Sequence, residues 1–182
     1  MNEMQQLVHF MITNGISWAS SQRDLHRPQG HALGGDDRAS LDGFFSSETL
    51  DEVRLHFVPM IENPDFFSAS EMAGQSISLD FREMHGITFG DTILISEMRD
   101  PAEDRWLPLL FHELVHVVQY KILGLEGFMQ RYVVGWAQNG LQYAKIPLEV
   151  QAYTLQAHFE TAPELPFDIE DRVRKELGVG PA

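Results

Sequence analysis

Two histidines and a glutamate stand close together in a strongly apolar stretch, at His112, Glu113 and His116 within LPLLFHELVHVVQYKILG (residues 107–124). Residues four apart lie on one face of an α-helix, one turn from each other, so both imidazoles can bind the same metal ion. Glu113 lies beside them and can reach a water molecule on that ion. The His-Glu-x-x-His spacing is typical of zinc sites in which the glutamate is the general base.

The residues around this motif predict that its helix is buried. Phe111, Val115, Val118 and Ile122 recur at helical spacing. Burying two histidines and a glutamate without a metal would cost several kcal/mol. The alternative is a pair of core histidines hydrogen-bonded to the backbone, with the glutamate at the rim of the core. The sequence favours a zinc centre over that alternative.

A catalytic zinc needs a third protein ligand and an open coordination position. The chain has no cysteine, and Gln119 and Ile122 occupy positions where the metzincin pattern would place glycine and histidine. A glutamate from a later helix remains, and Glu149 is the preferred candidate because it lies in the first turn of a predicted helix. The small Ala152 on the same face would let that helix approach the zinc helix closely. The alternatives are Glu126, His158 and Glu160.

Further side chains could take part in catalysis. Tyr143 and Tyr153 are candidate donors to a developing oxyanion, with His158 behind them. Tyrosines at helix edges also commonly pack on the core and form local hydrogen bonds. Gln119 lies seven residues after His112 on the same helix face. It could line the substrate cleft or be a surface amide without a role.

A peptide substrate would add to the edge of a strand. The segment 88–95 is the expected strand edge, with Thr92 and Leu94 as substrate-binding residues. The polar, glycine-rich stretch 27–43 is expected to be a long loop, which could cover the cleft in a resting state.

The coarse pattern predicts helices at 2–13, 105–123, 126–138, 147–160 and 168–177, with Gly124 ending the second of them. Strands are expected at 53–60 and 75–81, and 86–96 fits either two short strands or one bent strand. This order predicts an α+β fold, with a small antiparallel or mixed sheet in the N-terminal half packed on a helical C-terminal half. We expect a single globular domain, in which 1–45 is an N-terminal helix and loop and 46–182 holds the site.

Charge and composition restrict the classes of partner. The chain of 182 residues has a formal net charge of −14. Such a charge argues against nucleic acid or an anionic membrane as a main partner, because phosphates bind clustered Lys and Arg. No apolar run is long enough to span a bilayer, and the N-terminus lacks the basic region and cleavage site of a signal peptide. We expect a cytoplasmic protein, with export by a non-Sec route as the alternative.

The stretches HELVHVVQY and IPLEVQAY, preceded by EVRLHFV and GITFGDTILIS, resemble the bacterial DUF4157 family of predicted zinc metallopeptidases. The resemblance covers roughly residues 50–160. It implies a zincin-like fold with His112, Glu113 and His116 in their usual roles and Glu149 as the downstream ligand, the gluzincin arrangement. Larger gluzincins often have an acid four residues after that glutamate, where this chain has Tyr153. Family members are often found near contractile-injection or toxin loci.

The sequence therefore predicts a zinc-dependent metallopeptidase that acts on a peptide or protein substrate. Glu113 would be the general base for a zinc-activated water. One alternative is a non-catalytic zinc-binding module of a secretion or toxin system. Another is a zinc amidase that acts on a non-peptide substrate.

Overall fold

The computed structural model describes residues 2–67, 79–98 and 105–180. Within those ranges the helices are α1 (Glu3–His26), α2 (Gly35–Leu41), α3 (Ser47–Glu52), α4 (Trp106–Gln138), α5 (Pro147–Thr161) and α6 (Ile169–Glu176). The strands are β1 (Arg54–Val58), β2 (Gly86–Phe89) and β3 (Thr92–Ser96). Short 3-10 helices span Arg27–Gln29, Phe81–Glu83 and Tyr143–Lys145. The fold is α+β, as predicted.

The strands form a mixed sheet in the order β1-β3-β2, so β3 is central. β1 and β3 are parallel, whereas β2 and β3 are antiparallel across the turn at Gly90-Asp91. Residues 86–96 are therefore two strands, and the strand predicted at 53–60 is confirmed as β1. The strand predicted at 75–81 is wrong where the structure describes it, because Leu79 and Asp80 are not in a strand and Phe81 begins a 3-10 helix. Residues 75–78 lie outside the described residues.

Helix α1 is about twice as long as the predicted helix at 2–13. It begins with a capping box, in which Asn2 and Gln5 each accept a hydrogen bond from the other's backbone N–H. Its buried face continues beyond residue 13 through Gly15 and Ala19. Those residues are too small to register as an apolar stripe, so the sequence pattern ends earlier than the helix does.

The stretch 27–43 is packed structure and not the predicted long loop. The backbone of His31 exchanges two hydrogen bonds of 2.9 Å with Leu55 of β1, and the Trp106 indole donates to Asp37 at 2.9 Å. The segment thus lies along β1, which is the edge of the sheet opposite β2. Helix α3 was not predicted at all; Ser46 caps it by accepting from the Thr49 backbone N–H.

Helix α4 consists of two limbs, 106–123 and 125–138, separated by Gly124. The φ of 69° and ψ of 168° at Gly124 lie outside the helical region, in conformational space that is open almost only to glycine. The break confirms the predicted helix end. The Tyr120 and Phe128 rings stack with centroids 3.6 Å apart, so the second limb turns back toward the first.

Two clusters of buried apolar side chains make the core. The first joins the 106–123 limb to β1, β3, α5 and α6, and the second joins α1 to β2 and the 125–138 limb. Helix α1 contributes Leu7, Met11 and Ala19 to the second cluster, so the N-terminal region shares the core with the rest of the chain. Helices α5 and α6 lie within one residue of their predicted bounds. Within the described ranges, no helix is both long and apolar enough to cross a lipid bilayer.

Candidate metal centre

His112 and His116 of α4 meet Glu149 of α5 in the interior, where the three side chains form a group that could bind a metal ion. The two Nε2 atoms are 3.1 Å apart, and Oε2 of Glu149 lies 3.3 Å and 3.4 Å from them. Tetrahedral zinc with ligands at about 2.0–2.1 Å places neighbouring donor atoms about 3.3–3.4 Å apart. The three donor atoms therefore already have the spacing of three corners of such a tetrahedron.

Close packing between α5 and α4 brings Glu149 to the histidines. Pro147 starts α5 and sits against Gly135 of the second limb, where an added Cβ would lie 2.5 Å from the proline Cδ. Ala152 is fully buried, as expected for a small residue at a close helix contact. Glu149 lies in the first turn of α5, where the helix dipole favours a carboxylate.

Two glutamine side chains fix the orientation of the imidazoles. His112 Nδ1 lies 3.1 Å from Oε1 of Gln156, and His116 Nδ1 lies 2.7 Å from Oε1 of Gln119. The amide nitrogens of both glutamines donate elsewhere, Gln119 to the Leu148 carbonyl and Gln156 to a carboxylate, so their oxygens face the rings. Each histidine thus turns Nδ1 to a glutamine oxygen and Nε2 toward the other two side chains of the group, the orientation in which Nε2 can bind a metal.

One oxygen of the Glu149 carboxylate accepts a hydrogen bond, and the other does not within the described part of the chain. Tyr132 donates to Oε1 at 2.7 Å, whereas Oε2 is buried and has no hydrogen-bond partner among the described residues. Two imidazole Nε2 atoms and a carboxylate oxygen thus converge in the interior, an arrangement that a positive charge between them would stabilise. Burial opposes protonation of His116, but Glu149 outweighs it and raises the pKa of His116 to about 9. The chemistry of this donor set fits a cation.

Glu113 points toward β2 and contacts two of its residues. The hydroxyl of Thr88 lies 2.7 Å from Oε2 of Glu113, and a Cβ on Gly86 would lie 2.7 Å from Oε1. The carboxyl is 4 % exposed, and burial raises its pKa despite opposing effects of the two histidines and Thr88. A carboxylate with a raised pKa is a stronger base than an ordinary exposed one.

A cleft of about 590 Å³ lies in front of these residues. One wall comes from residues 79–86, and the other comes from the start of α4 with Tyr143, Tyr153 and Gln156. His112 and Glu113 lie at its base. None of the residues lining the cleft belongs to 27–43, so that segment does not cover it in this structure.

Both predicted tyrosines lie at the cleft. The Tyr153 ring contacts the His112 ring with centroids 4.4 Å apart, and its side chain is half-exposed. Tyr143 lies in the 3-10 helix before α5. Burial and then the charge of Glu149 raise the pKa of both phenols, so each keeps its proton and can donate a hydrogen bond.

Gln119, predicted to line the cleft or to lie unused on the surface, does neither. It is fully buried, and besides holding His116 it donates to the Leu148 carbonyl and to Oε1 of Gln151. Residues three apart on a helix are neighbours, so Gln119 reaches His116 from the adjacent turn. Its contact with His116 fixes the orientation of that imidazole ring.

Thr92 and Leu94 do not bind substrate as predicted. They are 0 % and 3 % exposed and lie on β3, whose two edges are already paired with β1 and β2. A strand in the middle of a sheet has no free backbone groups for a further strand. The strand edge at the cleft is β2, through Gly86.

The other candidates for the third ligand lie elsewhere. Glu126 is exposed on the second limb of α4. The His158 ring stacks on Phe167, and Glu160 pairs with Arg105 at 3.2 Å. Of the acids and the histidine considered from the sequence, Glu149 meets the two motif histidines.

Sequence reasoning missed four residues of the site: Gly86, Thr88, Tyr132 and Gln156. Gly86 and Thr88 belong to the predicted strand region, but their place against Glu113 depends on how the sheet packs on α4. Tyr132 lies sixteen residues after His116 and reaches Glu149 only because α4 turns at Gly124.

In comparisons with known proteins, no family model matches the chain, no curated protein matches it, and no solved structure matches its fold.

Proposed function

We propose that the protein is a zinc-dependent metallopeptidase with a zincin-like site, in which His112, His116 and Glu149 hold the zinc ion. The observation that carries this proposal is the spacing of their three donor atoms, 3.1–3.4 Å, with Oε2 of Glu149 buried and otherwise without a partner. Two nitrogen donors and one oxygen donor, with a cleft that reaches His112 and Glu113, suit a catalytic zinc. The resemblance of HELVHVVQY and IPLEVQAY to the DUF4157 family supports the same assignment.

Glu113 is the general base in this proposal. It lies in the cleft beside His112, is buried, and has a raised pKa. Zinc, when bound, acts as a Lewis acid and makes water more acidic. Glu113 takes a proton from the attacking water and delivers it to the leaving amine. A purely structural zinc site would need no such carboxyl at its open side.

Other residues of the chain bind the peptide and stabilise the developing charge. The β2 edge at Gly86 pairs with the main chain of an extended peptide, in place of the buried β3. The phenols of Tyr143 and Tyr153 stay protonated and face the cleft, so they donate to the developing oxyanion. The net charge of −14 argues against nucleic acid as the substrate.

The test is zinc content and peptide cleavage in the wild-type protein and the Glu113→Gln variant. Zinc is measured by mass spectrometry of the purified protein, and cleavage by mass spectrometry of a diverse peptide library. We expect about one zinc per chain in both proteins and at least about a 100-fold loss of turnover in Glu113→Gln. Glu126→Gln, a change of an exposed glutamate on the same helix, should keep full activity.

Two results would contradict the proposal. Wild-type protein that binds no zinc would leave the histidines as core packing. Wild-type protein that binds zinc but cleaves no peptide would favour the non-catalytic module or the amidase.

A further inference from the structure

A second cavity, of about 90 Å³, lies beside the candidate metal ligands. Glu113, His116 and Glu149 form one end of it. The rest of its wall is predominantly apolar and comes mainly from α1, residues 66–67 and 79–84, β2 and the second limb of α4. The cavity and the cleft adjoin at the proposed general base, because they share the lining residues Leu79, Met84, Gly86, Glu113 and Tyr143.

Helix α1 builds one wall of this cavity through Met11, Gly15 and Trp18. Gly15 lets α1 approach the second limb, since a Cβ there would lie 2.7 Å from the sulfur of Met129. Helix α1 lies outside the region that resembles the DUF4157 family. The shape of the cavity is therefore set by a part of this chain that the motif residues do not specify.

Trp136 also lines the cavity. Its indole N–H is buried and has no acceptor among the described residues. Buried donors are normally paired, so an occupant with a weak acceptor, such as a thioether sulfur, would suit this wall.

We propose that this cavity is the pocket for one substrate side chain next to the scissile bond, and that α1 restricts it to aliphatic side chains of leucine or methionine size. This inference rests on the proposed metallopeptidase function. The position follows from the end of the cavity at Glu113 and the metal ligands, where the bond to be cleaved would lie. The size follows from the volume, because an apolar cavity of about 150 Å³ holds benzene and 90 Å³ is too small for an indole.

The test uses binding of inhibitors and therefore does not depend on turnover. Succinyl hydroxamates bind a metal through the hydroxamate and differ here in one side chain, which is hydrogen, isobutyl or indolylmethyl. Dissociation constants are measured by calorimetry on protein loaded with one equivalent of zinc. We expect isobutyl to bind about tenfold or more tighter than hydrogen, and indolylmethyl to gain nothing, because only the isobutyl group can be buried.

Two variants locate the side chain. Val133→Phe places a larger side chain in the cavity wall and should abolish the advantage of isobutyl over hydrogen. Leu7→Phe is the matched control, since Leu7 is buried in the same apolar cluster but does not line the cavity, and it should keep the advantage. If Val133→Phe does not fold, Gly15→Ala adds a methyl group against Met129 in a helix that tolerates alanine well, and it should reduce the advantage.

The outcomes separate this inference from the proposed function. Equal binding of the hydrogen and isobutyl compounds, or an isobutyl advantage that Val133→Phe or Gly15→Ala leaves intact, would overturn the pocket assignment alone. Failure of all three hydroxamates to bind zinc-loaded protein would overturn the accessible metal centre, and the pocket with it.

Discussion

The hydroxyl of Thr88 on β2 lies 2.7 Å from Oε2 of Glu113 on α4 and 3.1 Å from the backbone carbonyl of the same residue. Both side chains are buried, with Thr88 5 % and Glu113 4 % exposed. A short hydrogen bond in such a place fixes the rotamer of the carboxylate. The edge strand of the sheet thereby positions the proposed base.

Replacing Thr88 with valine should remove this anchor while keeping the side-chain shape. The hydrogen bond from Thr88 lowers the pKa of Glu113, so its loss should raise that pKa further. A base with a higher pKa is protonated at higher pH, and the acidic limb of the kcat/KM profile should therefore move to higher pH. We also expect about a tenfold drop in kcat/KM. Thr88→Ser keeps the hydroxyl and should leave the profile in place.

Gly86→Ala should lower activity because the added methyl group displaces the Glu113 carboxylate. The added Cβ would lie 2.7 Å from Oε1 and 3.0 Å from Cδ of Glu113, so the carboxylate must move. Misplacement of a reacting group by about 1 Å can cost on the order of 100-fold in rate. Zinc content should stay at the wild-type level. Gly35→Ala, at a position with nothing within 4 Å of the new Cβ, should leave the rate unchanged.

Gln119→Leu should weaken zinc binding by about 10–100-fold, because His116 loses the partner that orients its ring. The change also leaves the Leu148 carbonyl without its donor, so thermal stability should fall. Zinc affinity is measured by competition with a chromophoric chelator. Gln138→Leu, on the exposed end of the same helix, should bind zinc as the wild type does. Equal zinc affinity in both variants would argue against the orienting role of Gln119.

Glu149→Ala should weaken zinc binding more than Gln119→Leu does, since it removes a ligand itself. Tyr132→Phe should give a smaller loss, about tenfold, because it removes only the hydrogen bond to Oε1. The same chelator competition ranks the two variants. A Glu149→Ala variant with wild-type zinc affinity would show that another residue is the third ligand.

The Asp91 carboxylate ties the turn between β2 and β3 to the end of α1. It lies 2.8 Å from Nε of Arg23 and 2.9 Å from Nε of Arg27. Burial acts to raise the pKa of Asp91, but the two arginines outweigh it and the pKa is lowered. A lowered pKa in the folded state stabilises the protein above the pKa of the unfolded chain, and that contribution is lost as pH falls through the folded value.

Asp91→Asn should therefore destabilise the protein at pH 7 by about 1 kcal/mol, a modest value because Arg23 is 41 % exposed. The difference from wild type should shrink as pH falls below about 4, where the carboxylate begins to be protonated. Urea unfolding of both proteins at several pH values measures the loss of stability at pH 7 and its change with pH. Asp24→Asn removes an exposed carboxylate 3.7 Å from Arg23 and should have little effect at any pH.

The three candidate metal ligands were predictable because the signals for them are local. His112 and His116 share a helix face by spacing alone, and Glu149 lies at the start of a helix that the proline marks. The break at Gly124 and the turn at Gly90-Asp91 were equally visible, since both depend on local backbone preferences.

The residues that were missed or misplaced depend on long-range order. Alternating apolar residues indicate a strand but not its place in the sheet, so Thr92 and Leu94 were assigned to an edge although β3 pairs on both sides. The contact of Thr88 with Glu113 requires the packing of β2 on α4, which spacing does not encode. The continuation of the buried face of α1 beyond residue 13 was not predicted, because Gly15 and Ala19 have too little side chain to mark it.

The turn at Gly124 has a consequence for how the site is assembled. In an uninterrupted helix Tyr132 would stand about 24 Å along the axis from His116. In the folded chain its hydroxyl touches Glu149, whose other oxygen is 3.4 Å from His116. The φ and ψ angles of Gly124 thus bring the second limb back against α5, so that Tyr132 can hold the Glu149 carboxylate. A substitution at Gly124 that straightened the helix would separate Tyr132 from Glu149. The carboxylate would then lose its support although all the candidate ligands were still present.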